Sequence, residues 1–120
     1  MARILIVDDS PADLKMMESI LVRDQHTVAA LSDPTAVEAT VETERPDVVM
    51  LDVVMPERNG YEVLRGLKRN PATKDLPVVL VSSKSAETDV RWGLRQGATD
   101  YVTKPYTPEQ VLAAVRKAVG

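Results

Sequence analysis

Two adjacent aspartates, Asp8 and Asp9, follow the first apolar run of the chain, RILIV at 3–7. A third, Asp52, follows another such run, DVVML at 47–51. Clustered carboxylates resist ionisation, and a hard divalent cation such as Mg²⁺ relieves that conflict because it prefers carboxylate, carbonyl and water oxygens. An aspartate beside Mg²⁺ can also act as a nucleophile toward a phosphoryl group. The three acids therefore suggest phosphoryl chemistry, provided that the fold brings them together.

Two further side chains could complete this set. Ser82 follows the apolar run at 77–81, and Lys104 follows the run at 100–103. A lysine ammonium suits a phosphoryl group, and a serine hydroxyl can hydrogen-bond one of its oxygens. Taken singly, Ser82 reads as a strand-end hydroxyl bonded to the backbone, and Lys104 as a solvated lysine. A functional role for either depends on whether it meets the acids.

The elements that would position these residues alternate along the chain. Short apolar runs rich in β-branched residues predict strands, and segments of helical periodicity follow them. Ser10 and Pro11 are typical of a helix start, and Gly97 of a helix end. This alternation predicts an α/β fold with a parallel sheet covered by helices on both faces. The predicted strands span 3–7, 27–31, 47–51, 77–81 and 100–103, and the predicted helices span 11–23, 34–44, 60–69, 86–96 and 108–119.

The predicted sheet would bring the polar residues to one edge. Nearly continuous hydrophobicity marks the first, third and fourth strands as central, whereas the second and fifth are typical of edge strands. The carboxyl ends of parallel strands share one edge, which is where open α/β sheets bind ligands. We therefore expect a single crevice there, lined by Asp8, Asp9, Asp52, Ser82 and Lys104.

The composition limits the classes of function. The 120 residues suffice for one domain, which we expect to span 1–120. A net charge of −3 leaves no basic surface for nucleic acid. The absence of cysteine excludes disulfides and thiolate metal sites and predicts a cytoplasmic protein. The apolar runs are too short to cross a bilayer, and the first residues lack the features of a signal peptide, so we expect no membrane insertion.

Four short motifs, in order, resemble those of the receiver domains of bacterial two-component response regulators. They are VDDS after the first strand, LDVVMP with NG after the third, VSS after the fourth and YVTKP after the fifth. The resemblance covers essentially the whole chain and implies the flavodoxin-like receiver fold, a doubly wound five-stranded parallel sheet of order 2-1-3-4-5. Among receivers, the chain looks most like stand-alone regulators of the chemotaxis type, particularly those that control twitching motility by type IV pili.

The resemblance implies roles for the residues around the acids. Asp52 matches the aspartate that a histidine kinase phosphorylates, and Lys104 matches the lysine that pairs with the phosphoryl group. Asp8 and Asp9 match the acidic pair that holds Mg²⁺, with Asp9 expected to coordinate directly and Asp8 through water. The backbone carbonyl of Val54 is expected to be another ligand. The implied activity is that of a phosphoacceptor switch rather than of an enzyme acting on a separate substrate.

The resemblance also implies how the switch reaches a partner. Ser82 and Tyr101 match the hydroxyl and the aromatic ring that couple phosphorylation to an output face. That face, formed by the fourth helix, the fifth strand and the fifth helix, would bind a downstream protein. The bond between Lys104 and Pro105 resembles one that is cis in the family, and a monomer is the default expectation.

Other functions remain open from the residues alone. The chain could be the receiver half of a longer transcriptional regulator. An aspartyl-phosphate phosphatase of the haloacid dehalogenase type is less favoured, because that family places a D-x-D pair after its first strand, whereas Val53 and Val54 follow Asp52. A flavin or nucleotide carrier is also less favoured, since no glycine-rich phosphate loop follows the first strand.

Trp92, the only tryptophan, lies in the predicted fourth helix beside Gly93. We expect its ring to pack that helix onto the core, and the alternative is a partner-facing anchor. Gly93 costs a helix about 1 kcal/mol relative to alanine, which indicates either close packing or deliberate looseness there.

Overall fold

The computed structural model describes residues 1–120, and its strands and helices alternate as predicted. The strands are β1 (Arg3–Val7), β2 (Thr27–Leu31), β3 (Val48–Asp52), β4 (Val78–Ser82) and β5 (Asp100–Thr103), and the helices are α1 (Pro11–Arg23), α2 (Val37–Glu44), α3 (Gly60–Arg69), α4 (Glu87–Arg95) and α5 (Pro108–Val119). A 3₁₀ turn, Pro34–Ala36, replaces the start of the predicted second helix, where the Asp33 carboxylate accepts the Thr35 N–H. None of the helices is both long and apolar enough to cross a membrane.

The sheet is parallel throughout, with the order β2-β1-β3-β4-β5. Every residue of β3 and β4 is buried, whereas the edge strand β2 is partly exposed along its whole length. Strands that are covered on both faces must be hydrophobic at nearly every position, which is the pattern from which they were predicted. The predicted fold class, strand order and division into central and edge strands are therefore confirmed.

Two strands, β3 and β4, begin and end one residue later than predicted. At the start of β4, Pro77 has no N–H to donate to the sheet. At the start of β3, the Asp47 carboxylate accepts the Arg3 N–H at 2.8 Å. As a result, Asp52 and Ser82 are the last residues of their strands rather than the first residues of the following loops, so the sheet itself holds their backbone.

Side-chain caps determine where three helices begin. The Ser10 hydroxyl accepts the Asp13 N–H at the start of α1. Asn59 and Glu62 form a reciprocal capping box at the start of α3, and Thr107 begins a second one at α5. Each cap satisfies backbone N–H groups that would otherwise lack a partner, a contribution of about 1 kcal/mol to stability. All three caps follow strand ends, so they also determine where the loops along that edge of the sheet finish.

Helices cover both faces of the sheet and enclose two hydrophobic clusters. Leu5 and Leu51 belong to a cluster of 15 buried residues beneath α2, α3 and α4. Ile4 and Met50 belong to a cluster of 13 buried residues beneath α1 and α5. Neighbouring residues of one strand fall into different clusters because side chains alternate across a sheet. This arrangement leaves the carboxyl edge of the sheet, rather than either face, for the polar residues.

Trp92 does not pack into the core, and that expectation is wrong. Its side chain lies on the outer side of α4, and the residue is 47% exposed. The helix turns Gly93 inward instead: a β-carbon on Gly93 would lie 2.8 Å from the Leu80 side chain and 3.0 Å from the Tyr101 ring. Successive helical residues are about 100° apart, so burial of Gly93 directs Trp92 toward solvent. Of the two interpretations of Gly93, the structure supports close packing.

Candidate functional site

The structure brings the three predicted acids together at the carboxyl edge of the sheet. Asp8 and Asp9 follow β1, and Asp52 ends the neighbouring strand β3. One carboxylate oxygen from each lies within 4.8 Å of the others. Asp8 and Asp52 are buried, at 8% and 6% exposed, while Asp9 faces solvent. The cluster is therefore open on the Asp9 side and closed beneath.

Lys104 lies in the same cluster and is not a solvated lysine. Its Nζ atom lies 2.8 Å from Asp8 Oδ2, 2.9 Å from Asp13 Oδ2 and 3.5 Å from Asp52 Oδ1. Its side chain is 19% exposed. Because an ammonium group has three N–H bonds, each of them is directed to a carboxylate.

The two members of the acidic pair differ in their surroundings. Asp8 Oδ1 accepts the Ser10 N–H at 2.9 Å, and Asp8 Oδ2 accepts a hydrogen bond from Lys104. Both Asp8 oxygens thus already have a protein donor. Asp9 is exposed, and its carboxylate is free to turn toward a ligand at the mouth of the cluster.

The site changes the acidity of its own groups. Burial, reinforced by the charge of Asp8 and to a lesser extent Asp9, raises the pKa of Asp52 to about 6, although Lys104 acts in the opposite direction. Burial alone would lower the pKa of Lys104, but hydrogen bonds to Asp8 and Asp13 and the charge of Asp52 raise it above its ordinary value. Lys104 therefore stays charged near neutral pH, while Asp52 is held in an unfavourable ionised state.

This electrostatic strain predicts how stability depends on pH. Because folding raises the Asp52 pKa, the folded state binds a proton that the unfolded state has lost, and stability falls as pH rises from about 4 to about 6. An asparagine side chain carries no charge, so burial does not disfavour it in this way. Without divalent cations, Asp52→Asn should be more stable than the wild type by up to about 3 kcal/mol at pH 8, and by little at pH 4. Thermal unfolding in EDTA at both pH values measures this difference.

A control for this prediction is Glu18→Gln, which removes a carboxylate from an exposed position of α1. It should leave the difference between the two pH values unchanged. The interpretation is wrong if Asp52→Asn changes stability equally at pH 4 and pH 8.

Ser82 and Tyr101 meet at the loop that follows β4. The Ser82 side chain is fully buried, and its oxygen accepts the Lys84 N–H at 3.1 Å. The Tyr101 hydroxyl donates to the Lys84 carbonyl at 2.8 Å, and its ring is buried in the cluster beneath α4. Ser82 also accepts the Lys104 N–H at its own carbonyl, which places it beside the acids. The backbone bond to the serine hydroxyl anticipated from the sequence is present, and it links Ser82 to Tyr101 through one residue.

The loop between β3 and α3 carries Val54 and is anchored at two points. The Gly60 N–H donates to the Val53 carbonyl at 2.8 Å. The Arg58 guanidinium binds both oxygens of Glu38 on α2, one of them at 2.7 Å, and holds the pKa of that carboxyl below its usual range. Val54 itself is exposed, two residues beyond Asp52. Its carbonyl remains a predicted ligand.

One residue of the site, Asp13, was not anticipated from the sequence. Its sequence signal was that of an acid in the first turn of a helix, a role that it does have in α1. The structure adds a direct bond to Lys104, 91 residues away. The helix cap at Ser10 was the available signal, since it places Asp13 close to the Asp8–Asp9 pair.

Comparison with known proteins finds similarity in both sequence and structure. A family model described as "Response regulator receiver domain" matches residues 4–116. Protein PilH of Pseudomonas aeruginosa is 43% identical over 120 residues, which cover 100% of this chain and 99% of that protein. Response regulator PleD of Caulobacter vibrioides is 40% identical over 116 residues, covering 96% of this chain and 25% of that protein, so this chain spans about a quarter of its length. The structure of the Vibrio cholerae chemotaxis protein CheY4 superposes with a TM-score of 0.90 at 27% identity and covers 98% of each chain.

Proposed function

Because the chain belongs to the response regulator receiver family, we propose that it is a signalling switch that a histidine kinase phosphorylates on Asp52 with Mg²⁺. The observation that carries this proposal is the contact of the Lys104 ammonium with the buried carboxylates at the strand ends. Burial of several charged groups contributes little to the stability of a fold, because desolvation opposes their attraction. The same arrangement suits a site that receives a phosphoryl group.

The donor set fits a hard divalent cation. Oxygens of Asp8, Asp9 and Asp52 lie close enough to share one ion, and the raised pKa of Asp52 reflects burial and the neighbouring negative charge, which such an ion would offset. Asp9 would bind directly because it is exposed, whereas both Asp8 oxygens already accept protein hydrogen bonds, which favours a water-mediated contact. The Val54 carbonyl would complete the protein ligands. When bound, Mg²⁺ supplies positive charge that stabilises the transferring phosphoryl oxygens.

The transfer itself requires an ionised Asp52. One of its carboxylate oxygens attacks phosphorus and forms an O–P bond while the P–N bond of a phosphohistidine breaks, and the electron pair returns to the imidazole nitrogen. With acetyl phosphate, the P–O bond breaks and acetate leaves. Lys104, whose Nζ atom lies 3.5 Å from Asp52 Oδ1, would bind an oxygen of the new phosphoryl group. The buried hydroxyl of Ser82 can donate to a second.

Acetyl phosphate provides the direct test of this function. Incubation with Mg²⁺ and acetyl phosphate should give a protein that carries one phosphoryl group by intact mass, and EDTA should prevent its formation. A protein that stays unmodified with Mg²⁺ present would contradict the proposal.

Several features support an output face at α4, β5 and α5. Ser82 and Tyr101 are both bonded to the Lys84 backbone, so a serine hydroxyl that turns toward a phosphoryl group releases one of the two bonds on that residue. The Tyr101 ring fills the space that Gly93 leaves beneath α4. Two packings of ring and loop would give the protein two discrete states, and a downstream protein would bind one of them.

The coupling predicts a separation of labelling from response in Ser82→Ala. This variant should still accept a phosphoryl group on Asp52, but its amide chemical-shift changes along β5 should fall to less than about half of those of the wild type, because no hydroxyl joins the site to the Lys84 loop. Ser83→Ala is the matched control, since Ser83 is adjacent and exposed. Full shift changes in phosphorylated Ser82→Ala would count against the coupling.

We also propose a place in chemotaxis-type or twitching-motility signalling, in the cytoplasm and as a monomer. The similarity to Protein PilH along the whole chain and the close superposition on a chemotaxis protein support this pathway. Deletion of the gene, scored for surface motility and complemented by the wild type or by Asp52→Asn, tests the pathway.

A further inference from the structure

Asp13 holds Lys104 from outside the proposed metal site. Its Oδ2 atom lies 2.9 Å from Lys104 Nζ, almost as close as Asp8 Oδ2 at 2.8 Å and closer than Asp52 Oδ1 at 3.5 Å. It does not belong to the group of acids whose oxygens could share one ion. It nevertheless lines the same small cavity as Asp8 and Asp52. Asp13 therefore acts on the site through the lysine rather than through a cation.

The three contacts of Lys104 cannot all persist once Asp52 carries a phosphoryl group. An ammonium has three N–H bonds, and here each faces a carboxylate. The contact with Asp52 is long, at 3.5 Å, so a close bond to a phosphoryl oxygen on Asp52 would draw the ammonium away from its two short contacts. Asp8 is held in place by the Ser10 N–H, whereas Asp13 is bound at its carboxylate by Lys104 alone and its side chain is 36% exposed. Of the two short bonds that hold the ammonium, the bond to Asp13 is therefore the one that can be exchanged at the smaller loss.

We propose that Asp13 is a positioning residue that retains Lys104 in the resting state and competes with the incoming phosphoryl group for it. The inference rests on the proposed phosphorylation of Asp52 and adds that Asp13 limits the rate of this phosphorylation. Asp13 also adds a negative charge beside the Lys104 ammonium, where it would repel an anionic phosphoryl donor, and this repulsion acts in the same direction as the competition. Both effects slow phosphorylation of the wild-type protein.

The consequence is an unusual expectation, a gain in rate on removal of a site carboxylate. With Mg²⁺ at saturation, Asp13→Asn should accept a phosphoryl group from acetyl phosphate about fivefold faster than the wild type, measured by the time course of the intact-mass adduct. Asp13→Glu restores the carboxylate and should return the rate to within about twofold of the wild type. Damage to the fold would slow labelling, so a faster rate in Asp13→Asn indicates lost competition for Lys104 rather than a disturbed fold.

Two controls accompany this experiment. Glu18→Gln removes the same charge from an exposed position of α1 and should leave the rate unchanged. Mg²⁺ affinity by calorimetry should change by less than about threefold in Asp13→Asn and should fall by more than about tenfold in Asp9→Ala, a variant of the proposed metal set. A loss in Asp13→Asn as large as that in Asp9→Ala would overturn the inference, because Asp13 would then be part of the metal site.

The remaining outcomes separate this inference from the function on which it rests. If the wild type is labelled and Asp13→Asn is labelled at the same rate or more slowly, Asp13 does not compete for Lys104 and the inference fails alone. If the wild type is not labelled at all, the proposed function fails and the role of Asp13 fails with it.

Discussion

Replacement of Asp52 with asparagine should reduce the phosphoryl adduct formed with Mg²⁺ and acetyl phosphate to an undetectable level. The amide is nearly isosteric with the carboxylate but is not a nucleophile toward phosphorus at neutral pH. The fold should persist, since β3 holds the backbone of residue 52 and the variant has one buried negative charge fewer. An intact-mass time course measures the adduct, and unfolding curves show that the variant is folded.

The matched control for this prediction is Asp75→Asn, which changes an exposed aspartate between α3 and β4. It should be labelled at the wild-type rate. Peptide mapping of the labelled wild type should place the phosphoryl group on the segment that contains Asp52. Labelling of Asp52→Asn at the wild-type rate would show that the acceptor lies elsewhere.

Gly60→Ala should be strongly destabilising, by about 3 kcal/mol, because Gly60 is buried at the start of α3 against the end of β3. A β-carbon there would lie 2.4 Å from the Asp52 carbonyl oxygen and 2.8 Å from the Val53 Cα atom. Both atoms belong to the backbone at the end of a central strand, so no side-chain rotation can relieve the clash. The gain of about 1 kcal/mol in helix propensity from alanine is too small to compensate.

Urea unfolding at pH 7 measures this loss, and Gly93→Ala provides the comparison. At Gly93 the closest atoms are side-chain atoms, Leu80 Cδ1 at 2.8 Å and a Tyr101 ring carbon at 3.0 Å, which can move more readily than backbone. Its loss of stability should therefore be smaller. Gly60→Ala should also accept the phosphoryl group more slowly. The added β-carbon can be accommodated only if the backbone that carries Asp52 shifts. Equal stabilities of Gly60→Ala and the wild type would contradict the close approach.

The success of the strand and helix predictions has a local cause. A central strand such as β3 must be apolar at every position, and a helix such as α1 begins where Ser10 can cap it, so both features depend on neighbouring residues in the chain. The one-residue difference at β3 arose where a contact between residues distant in the chain matters, since the Asp47 side chain binds the backbone of Arg3.

The candidate site likewise has features that the sequence predicts and features that it does not. That Asp8, Asp9 and Asp52 meet follows from alternation alone, because any parallel sheet gathers its carboxyl ends. That Asp13 joins them through Lys104 does not follow, because the two residues are 91 positions apart and their contact depends on the rotamer of the long lysine side chain. The raised pKa of Asp52 likewise depends on burial, which no spacing specifies.

The sequence by itself determined the elements, their alternation, the motifs of the family and the edge at which the acids gather, because each depends on periodicity or on residue types at strand ends. Tertiary structure decided which face of each helix turns inward and which side chains share a partner. The outward orientation of Trp92 is the clearest case: a tryptophan is favoured in a core by its size, but α4 can approach Tyr101 only along Gly93, and that contact sets the rotation of the helix. Steric fit between elements distant in the chain overrode the preference of a single residue.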